Sequence, residues 1–336
     1  MNIPKEAIKK WAKRSGLGLA ALAVLFFVGF SIWLFRPLKE VPPWKLMPST
    51  TFSFFTFSLD QADPGVSALL EGMQAKLITQ DTGVMKAHLF KKVFPSLIPT
   101  RLVGLVSYDE LRGEPQILIL VSMGKVIRLL KLAGGLFDRV LFEGVESVKV
   151  HTEGHSFKTR KDSQDGMRPT AYTIVGNNLL LGSNLSLLQD SYRDYARTLH
   201  GDAEDEYMSG LLLQASSQRG GSLCVDNTQG LLSKIFQEVE EKYSFAAFPS
   251  IDAVSTIMGD LRILPEELNG SLTFYCSSDD KLPEVRSDVK FIYGALRRKL
   301  RASDIDMKGA VAVQGYSVKF TFQIMDFMNA LLKGEE

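Results

Sequence analysis

The stretch AYTIVGNNLLLGSN (residues 171–184) predicts the local architecture that recurs in this chain. Its two apolar runs, Ala171–Val175 and Leu179–Gly182, flank Gly176-Asn177-Asn178, and glycine and asparagine tolerate the positive φ of a tight hairpin turn. Asn184 then stands where a helix N-cap is expected, because the residues after it carry apolar side chains at helical spacing. The stretch therefore predicts a β-hairpin that leads directly into an amphipathic helix.

The segments around this hairpin repeat one order of predicted elements. Residues 51–199 and residues 222–336 are each predicted as a strand, a helix, two strands, a helix, a hairpin and a closing helix. Val103-Gly104 and Met258-Gly259 open equivalent strands of the two halves. The predicted class is α+β: a duplicated α+β unit with mainly antiparallel sheets covered by helices. Chance similarity between two ordinary stretches is the alternative.

An N-terminal single transmembrane helix is predicted to precede these halves. Ser15–Phe35 contains no charged residue, and as a helix it would span about 30 Å, the thickness of a bilayer's hydrocarbon core. The run ends in bulky residues rather than in a small-residue cleavage site, so an uncleaved signal anchor is favoured over a cleaved signal peptide. Basic residues cluster before the run: Lys5, Lys9, Lys10, Lys13 and Arg14. This charge bias predicts a cytoplasmic N-terminus.

The predicted location is a single-pass protein of the bacterial inner membrane, with the bulk of the chain periplasmic. The predicted segments are a basic tail (1–14), the anchor (15–36), a linker (37–50), the first repeat (51–199), a connector (200–221) and the second repeat (222–336). The formal net charge is +1, and acids outnumber bases after the anchor, so a nucleic-acid partner is not expected. The membrane, through Ser15–Phe35, is the first expected partner.

Motifs that carry catalysis or bind a cofactor are absent from the sequence. It contains no Walker loop, no H-E-x-x-H and no G-x-S-x-G, so we expect no cofactor, and we favour a protein that is not an enzyme. A dispersed hydrolase site is the alternative, because inter-strand loops often hold sites. Its carboxylates would come from equivalent loops of the two halves: Asp109, Glu110, Glu266 and Glu267. Ordinary turn chemistry explains the same residues and is favoured.

The segment His151-Thr152-Glu153-Gly154-His155 is a weak candidate metal site. On a helix, or across a hairpin, the two histidines could face each other with Glu153 as a third ligand. No cysteine or further histidine lies nearby in the sequence to complete the ligand set. A solvated turn is therefore the favoured interpretation, and no metal is expected.

Cys224 and Cys276 are the two cysteines of the chain, and each falls in a predicted strand of the second half. An exported protein meets an oxidising compartment, so a structural disulfide between them is one interpretation. Two buried thiols that act as small apolar side chains are the other. Spacing alone does not decide between them, because a disulfide requires α-carbons within about 7 Å.

Basic residues also cluster near the end of the predicted helix 283–300: Lys290, Arg297, Arg298, Lys299 and Arg301. Contact with an anion or a lipid headgroup is one interpretation. Bases are also favoured at a helix C-terminus because they complement the helix dipole, and this explanation is preferred at the level of sequence.

The basic N-terminus, the anchor and the hairpin-then-helix phrase of residues 171–184 resemble those of bacterial membrane-anchored envelope proteins of a domain-of-unknown-function family with two α+β repeats. The resemblance covers most of residues 50–333, in pattern rather than in an invariant motif, and it implies no catalytic residue. The leading hypothesis is a non-catalytic extracytoplasmic binding or assembly module of the cell envelope. Its ligand or protein partner would occupy the cleft between the repeats. An envelope hydrolase and an accessory subunit of a secretion or transport complex are the alternatives.

Overall fold

The computed structural model describes residues 38–77, 98–109, 113–132, 134–161, 169–200, 207–235 and 248–327. Within these ranges no helix has both the length and the apolar character needed to cross a membrane. The predicted tail and the predicted anchor Ser15–Phe35 lie outside the described residues.

The described strands form one antiparallel sheet of twelve. Its order is β11-β12-β10-β9-β8-β1-β2-β3-β7-β6-β5-β4. The strands are β1 (Thr51–Ser58), β2 (Arg101–Asp109), β3 (Glu114–Ser122), β4 (Ser147–Thr152), β5 (His155–Arg160), β6 (Ala171–Val175), β7 (Asn178–Gly182), β8 (Gly221–Asp226), β9 (Val254–Ile263), β10 (Glu267–Cys276), β11 (Met307–Gln314) and β12 (Ser317–Met325).

The first strands of the two halves, β1 and β8, join the sheet at its centre. They pair antiparallel from Ser53 opposite Val225 to Phe57 opposite Gly221. On the two sides of this junction the strands follow in the orders β1-β2-β3-β7-β6 and β8-β9-β10-β12-β11, and the β5–β4 hairpin extends the first side. An unpaired first strand would expose a row of backbone N–H and C=O groups. The pairing of β1 with β8 satisfies these groups in both strands.

The predicted fold class is therefore wrong. It placed a duplicated α+β unit, with sheets covered by helices, after an N-terminal transmembrane helix. The described chain instead forms a single twelve-stranded antiparallel sheet with helices packed on it, and none of its described helices fits a membrane span. The pattern of each half predicted the strands, but the strand that each half would have left at an edge became the centre of one sheet.

The helices pack on both faces of this sheet. We call the face that carries Phe54, Leu105 and Leu180 the front, and the opposite face the back. The helices are α1 (Pro64–Leu77), α2 (Ile127–Leu132), α3 (Gly134–Leu141), α4 (Leu185–His200), α5 (Tyr207–Ser216) and α6 (Leu282–Arg301). Short 3-10 turns occur at Pro43–Leu46, Gly124–Val126, Pro249–Ala253 and Asp279–Lys281.

The first half of the sheet is covered on both faces. On the front, α4, α5 and residues 41–47 bury a core that includes Leu118, Leu120 and Leu180, each fully buried. On the back, α2 and α3 cover Leu179 and Tyr172. These strands are accordingly apolar on both sides, as sheets buried on two faces require.

The second half of the sheet is covered mainly on its back. There α6 and the turn Pro249–Ala253 pack on side chains such as Ile257, Phe274 and Phe320. The alternating residues on the front are mostly polar, because the ladders place one set of side chains of β9, β10 and β12 there: Asp260, Arg262, Asn269, Ser271, Thr273, Lys319, Thr321 and Gln323. The front of this half is thus a polar surface that begins where α5 ends.

The segment predicted as a linker is docked on the first half. Asn178 is fully buried, and its amide donates to the carbonyl oxygen of Val41 at 2.6 Å. The N–H of Val41 donates to Asn177 Oδ1 at 3.0 Å, and Ser191 Oγ donates to the carbonyl oxygen of Leu46 at 2.5 Å. Leu46 itself is fully buried. The hairpin turn of residues 175–178 therefore holds the chain that enters from the N-terminal side.

Candidate functional site: the junction groove

A groove of about 260 Å³ lies at the junction of the two halves, on the front of the sheet. Its floor is apolar, from Phe54 on β1, Cys224 on β8 and Met258 on β9. One wall is α5, and the other is the polar front of β9, β10 and β12. The polar rim consists of Gln214, Gln218, Ser222, Asp260, Ser271, Thr273 and Lys319. We call this feature the junction groove.

Helix α5 positions its wall by ordinary helical spacing. Gln214 and Ala215 follow Leu211 by three and four residues, so all three lie on one side of the helix and face the groove. Leu213, nearly half exposed at 47%, lies on the opposite side. Arg101 on β2 holds the end of α5, because its guanidinium donates to the carbonyl oxygen of Ser216 at 2.5 Å. The wall is thus anchored at its C-terminal end to the first half.

The side chains that line the junction groove show little chemical reactivity. Burial, and secondarily the charge of Asp226, raises the pKa of Cys224 to about 11, so its thiol stays protonated at neutral pH. Asp260 accepts a hydrogen bond from Ser271 Oγ across the β9–β10 pair. Lys319 reaches the rim from β12. This set offers one anion, one cation and several neutral hydrogen-bonding groups around an apolar floor, which suits binding better than bond cleavage.

A second, larger cavity of about 800 Å³ lies at one end of the sheet. It is bounded by residues 40–44 of the docked N-terminal segment and by the ends of β1, β2 and β3. Glu40, Asp60 and Arg101 place charges of both signs on its wall. The Arg101 guanidinium already binds the end of α5, and burial lowers its pKa. This cavity therefore presents no cluster of one charge sign that would select a ligand.

The candidate metal ligands are not brought together. In the β4–β5 hairpin, His151 lies opposite Ser156 and His155 lies opposite Thr152, so the two imidazoles are on opposite faces of the hairpin. Glu153 lies in the turn and pairs with Arg193 at 3.2 Å. No group of three His, Cys, Asp or Glu side chains in the described ranges could hold a metal ion.

His155 instead belongs to an aromatic contact with α4. Its ring stacks on Tyr192 with centroids 4.1 Å apart, and it meets Phe157 edge-on at 5.1 Å. The hydroxyl of Thr173 donates to the carbonyl oxygen of Ser156, so His155 Nε2 is the donor in its own 2.7 Å bond to Thr173 Oγ1. Burial first, and the charge of Lys131 second, lower the pKa of His155. The neutral imidazole is therefore the favoured form here.

Both cysteines are free thiols. Cys224 lies on β8 and Cys276 on β10, with β9 between them. Two strand spacings amount to about 9.6 Å, which exceeds the α-carbon separation of about 7 Å that a disulfide tolerates. Burial raises the pKa of Cys276 as well, and the charge of Asp279 adds to it. The geometry favours two thiols that act as apolar side chains.

The candidate catalytic carboxylates lie at opposite ends of the sheet. Asp109 ends β2 and accepts a hydrogen bond from Gln116 at 2.7 Å, at the end where β1 begins. Glu266 lies in the turn between β9 and β10 and Glu267 begins β10, at the end where β1 finishes. Glu267 accepts hydrogen bonds from Asn269 and Gln323. Glu110 lies outside the described residues. The described carboxylates therefore form no pair for acid–base chemistry.

A polar cluster that the sequence did not indicate joins α3 to the back of the first half. Asp138 accepts hydrogen bonds from Lys158 at 2.6 Å, Tyr172 at 2.5 Å and Ser147 at 3.1 Å. Burial raises the pKa of Asp138, but the bonds from Lys158 and Tyr172 outweigh it and the net shift is downward. The same burial and the Asp138 charge raise the pKa of Tyr172. The four residues are far apart in sequence, so no motif announces them, and their mutual pairing suits a structural role.

Comparisons with known proteins identify no relative by sequence. No protein-family model matches the chain, and no curated protein matches it. Two solved structures that resemble it are crystal forms III and I of TP0453. Form III is 11% identical with a TM-score of 0.46, covering 87% of this chain and 98% of that chain, and form I is 12% identical with a TM-score of 0.46, covering 88% and 97%. At this level the similarity carries no information about function.

Proposed function

We propose that this protein is a non-catalytic, membrane-anchored module of the bacterial cell envelope that binds a protein partner in the junction groove. The anchor is Ser15–Phe35, and the charge bias around it directs the rest of the chain to the periplasmic side. The observation that carries the binding role is the groove itself, an apolar floor with a polar rim where the covered half of the sheet meets the half with an uncovered front.

The size of the groove favours a protein over a metabolite. Pockets for small ligands enclose about 300–1,000 Å³, and this groove encloses about 260 Å³. A volume at that limit accommodates one large side chain, the usual anchor of a protein interface. The polar front beside it, with Thr321 and Arg262 exposed, supplies the kind of hydrogen-bonding rim that surrounds such an anchor.

The hydrolase alternative has less support from the geometry. It needs two carboxylates on one substrate, whereas Asp109 ends the nine-residue β2 and Glu267 begins the ten-residue β10 at the opposite end of the strands. A subunit of a secretion or transport complex remains compatible with the proposal, because such a subunit also docks a protein partner.

The test is a crosslinking pull-down of the full-length protein from native membranes, with the groove open and with it filled. Ala215→Trp places an indole in the groove from the α5 wall, and we expect the stoichiometric partner to be lost. Leu213→Trp adds the same side chain to the exposed side of α5 and should leave the partner in place.

A second variant covers a failure of Ala215→Trp to fold. Thr273→Tyr fills the groove from the sheet side, because residue 273 lies on the front of β10 and lines the groove. Circular dichroism verifies the fold of each variant. Recovery of the same partner with both filled-groove variants would contradict the proposal.

A further inference from the structure

The two edge strands of the sheet differ in the charge of their side chains, and therefore in how readily a further strand could pair with them. One edge is β4 and the other is β11. Free edges attract other strands, and proteins usually blunt them with charged side chains. The centre of β4 includes Lys149, a charged residue of this kind. The central residues of β11, Gly309-Ala310-Val311-Ala312-Val313, carry no charge at all.

The backbone of β11 offers a complete set of bonds to a further strand. Gln314 and Ser317 close a two-residue turn and therefore form a hydrogen-bonded pair, so the pairs alternate from there. The N–H and C=O groups of Gly309, Val311 and Val313 consequently point away from β12. No described residue pairs with this side of β11. Most of the strand is exposed, with Val313 44% accessible.

Helix α6 runs beside this edge on the back of the sheet. Tyr293 marks its side toward β11, because its ring packs on Phe320 at 5.2 Å and would be 3.0 Å from a Cβ at Gly309. Arg286, Lys290 and Arg297 lie seven residues before, three before and four after Tyr293, so helical spacing puts all three on that side. None of them makes an ion pair within the described residues. We call these three residues the basic row.

The basic row and the free edge run alongside each other. From Tyr293 back to Arg286 the helix covers about 10 Å, and from Gly309 to Val313 the strand covers about 13 Å. The turn at residues 302–306 reverses the chain between the helix and β11, so Arg286 lies toward the Val313 end. The nearest acids of the connection, Asp304 and Asp306, lie at the other end. A strand added to β11 would therefore place alternate side chains under a row of cations.

We propose that the β11 edge binds an extended acidic segment of a partner protein as a thirteenth strand, with its acidic side chains against the basic row. Backbone pairing to Gly309, Val311 and Val313 supplies the affinity, and charge complementarity selects the segment. A second copy of this chain fits less well, because it would bring its own basic row against the first. The proposal goes beyond the junction groove, since it concerns another surface of the molecule.

The probe is an eight-residue peptide of alternating threonine and glutamate, titrated into the full-length protein in detergent by calorimetry. A threonine–glutamine peptide of the same length is the neutral control. We expect the glutamate peptide to bind and to slow hydrogen exchange at the amides of Gly309, Val311 and Val313. Absence of measurable binding, or protection elsewhere, overturns the proposal.

Val311→Pro tests the backbone pairing. It removes an N–H that points away from β12, which an edge strand tolerates, so the fold should persist while peptide affinity falls about tenfold or more. Val313→Pro serves if Val311→Pro does not fold. Unchanged affinity in a folded proline variant contradicts strand addition.

Charge reversal tests the basic row. Arg286→Glu with Lys290→Glu should weaken binding of the glutamate peptide about tenfold. The matched control is Arg298→Glu with Lys299→Glu, which changes the net charge equally on the same helix but lies roughly 120–140° around it from Tyr293. Equal losses in both variants would indicate a general electrostatic attraction, as to anionic lipid, and would overturn the proposal. So would a disulfide-linked dimer of a Val311→Cys variant, which indicates a second copy at the edge.

Filled-groove variants separate this inference from the proposed function. Ala215→Trp should leave peptide binding at the β11 edge unchanged, because α5 packs on β1 and β8. Loss of peptide binding in that variant would place the peptide in the groove and contradict the edge site.

Discussion

The two halves of the sheet have the same order of strands, but the front face is covered in the first half and largely uncovered in the second. In the first half, α4, α5 and the docked segment 41–47 bury apolar side chains. In the second half the equivalent positions are polar, and α5 covers only the strands nearest the junction. The difference shows that a covered face is stabilised by apolar burial, whereas an uncovered face keeps polar side chains in contact with solvent. The junction groove lies where the covered front face ends and the uncovered front face begins.

The largest expected effect is a difference in stability between substitutions on β7 and on β12, which occupy equivalent positions in the strand order of the two halves. Leu180 on the front of β7 is fully buried, and Leu180→Ala should lower the free energy of unfolding by about 2–5 kcal/mol because it leaves a cavity. Thr321 on the front of β12 is exposed, and Thr321→Ala should cost less than about 1 kcal/mol. Urea denaturation measures both. Equal losses would mean that the second front face is covered after all.

The next effect concerns the segment that covers the first half. Asn178→Ala removes the donor to the Val41 carbonyl at 2.6 Å and the acceptor for Ser122 Oγ at 2.6 Å. Because both partners are then left unpaired in a buried site, we expect a loss of about 2–3 kcal/mol and faster proteolysis within residues 38–50. Asn269→Ala, on the half-exposed front of β10, is the control. A stable Asn178→Ala variant with unchanged proteolysis would show that the segment is held by its apolar contacts alone.

The smallest effect is the pH dependence of the first half. The folded-state pKa of His155 lies below its unfolded value, so the unfolded chain binds the proton more readily. The stabilising contribution of the neutral ring is therefore present above the unfolded value of about 6.5 and is lost as the pH falls through the folded pKa. His155→Gln should flatten this acid limb in thermal melts recorded between about pH 7 and about pH 5. His151→Gln, at an exposed position on the other face of the hairpin, is the matched control substitution. An acid limb that is unchanged in His155→Gln would assign it to another group.

Local elements followed from the sequence where short-range chemistry decides them. The pattern of residues 171–184 predicted the hairpin that the structure forms from Ala171–Val175 and Asn178–Gly182. The apolar spacing of residues 283–300 likewise predicted α6 within two residues of its bounds. The sequence pattern places the second strand of the β9–β10 pair at Ser271–Ser277, because the residues before it, Glu267–Gly270, are typical of a turn. In the structure these four residues pair with β9 and begin β10. Tertiary pairing outweighed local propensity there.

The candidate site did not follow from the sequence in the same way. The groove combines Phe54, Ala215 and Lys319, which are separated by more than a hundred residues from one another and belong to no motif. His151 and His155 are only four residues apart in the sequence, yet the register of the hairpin places the two rings on opposite faces. The short distance between the two histidines in the sequence therefore suggested a metal site. A change of one residue in strand register is enough to separate such a pair, because successive side chains of a strand point to opposite faces.

The sequence by itself determined the alternation, the turns and the helical faces of this protein, because these depend on residues within a few positions of one another. The tertiary structure decided that β1 and β8 pair, that the front face is covered in one half and open in the other, and that β11 is left as an edge beside a basic helix face. These outcomes depend on which surfaces, distant along the chain, bury the most apolar area and pair the most backbone groups. A periodic pattern records that a face is apolar, but only the assembled sheet determines which surface it meets.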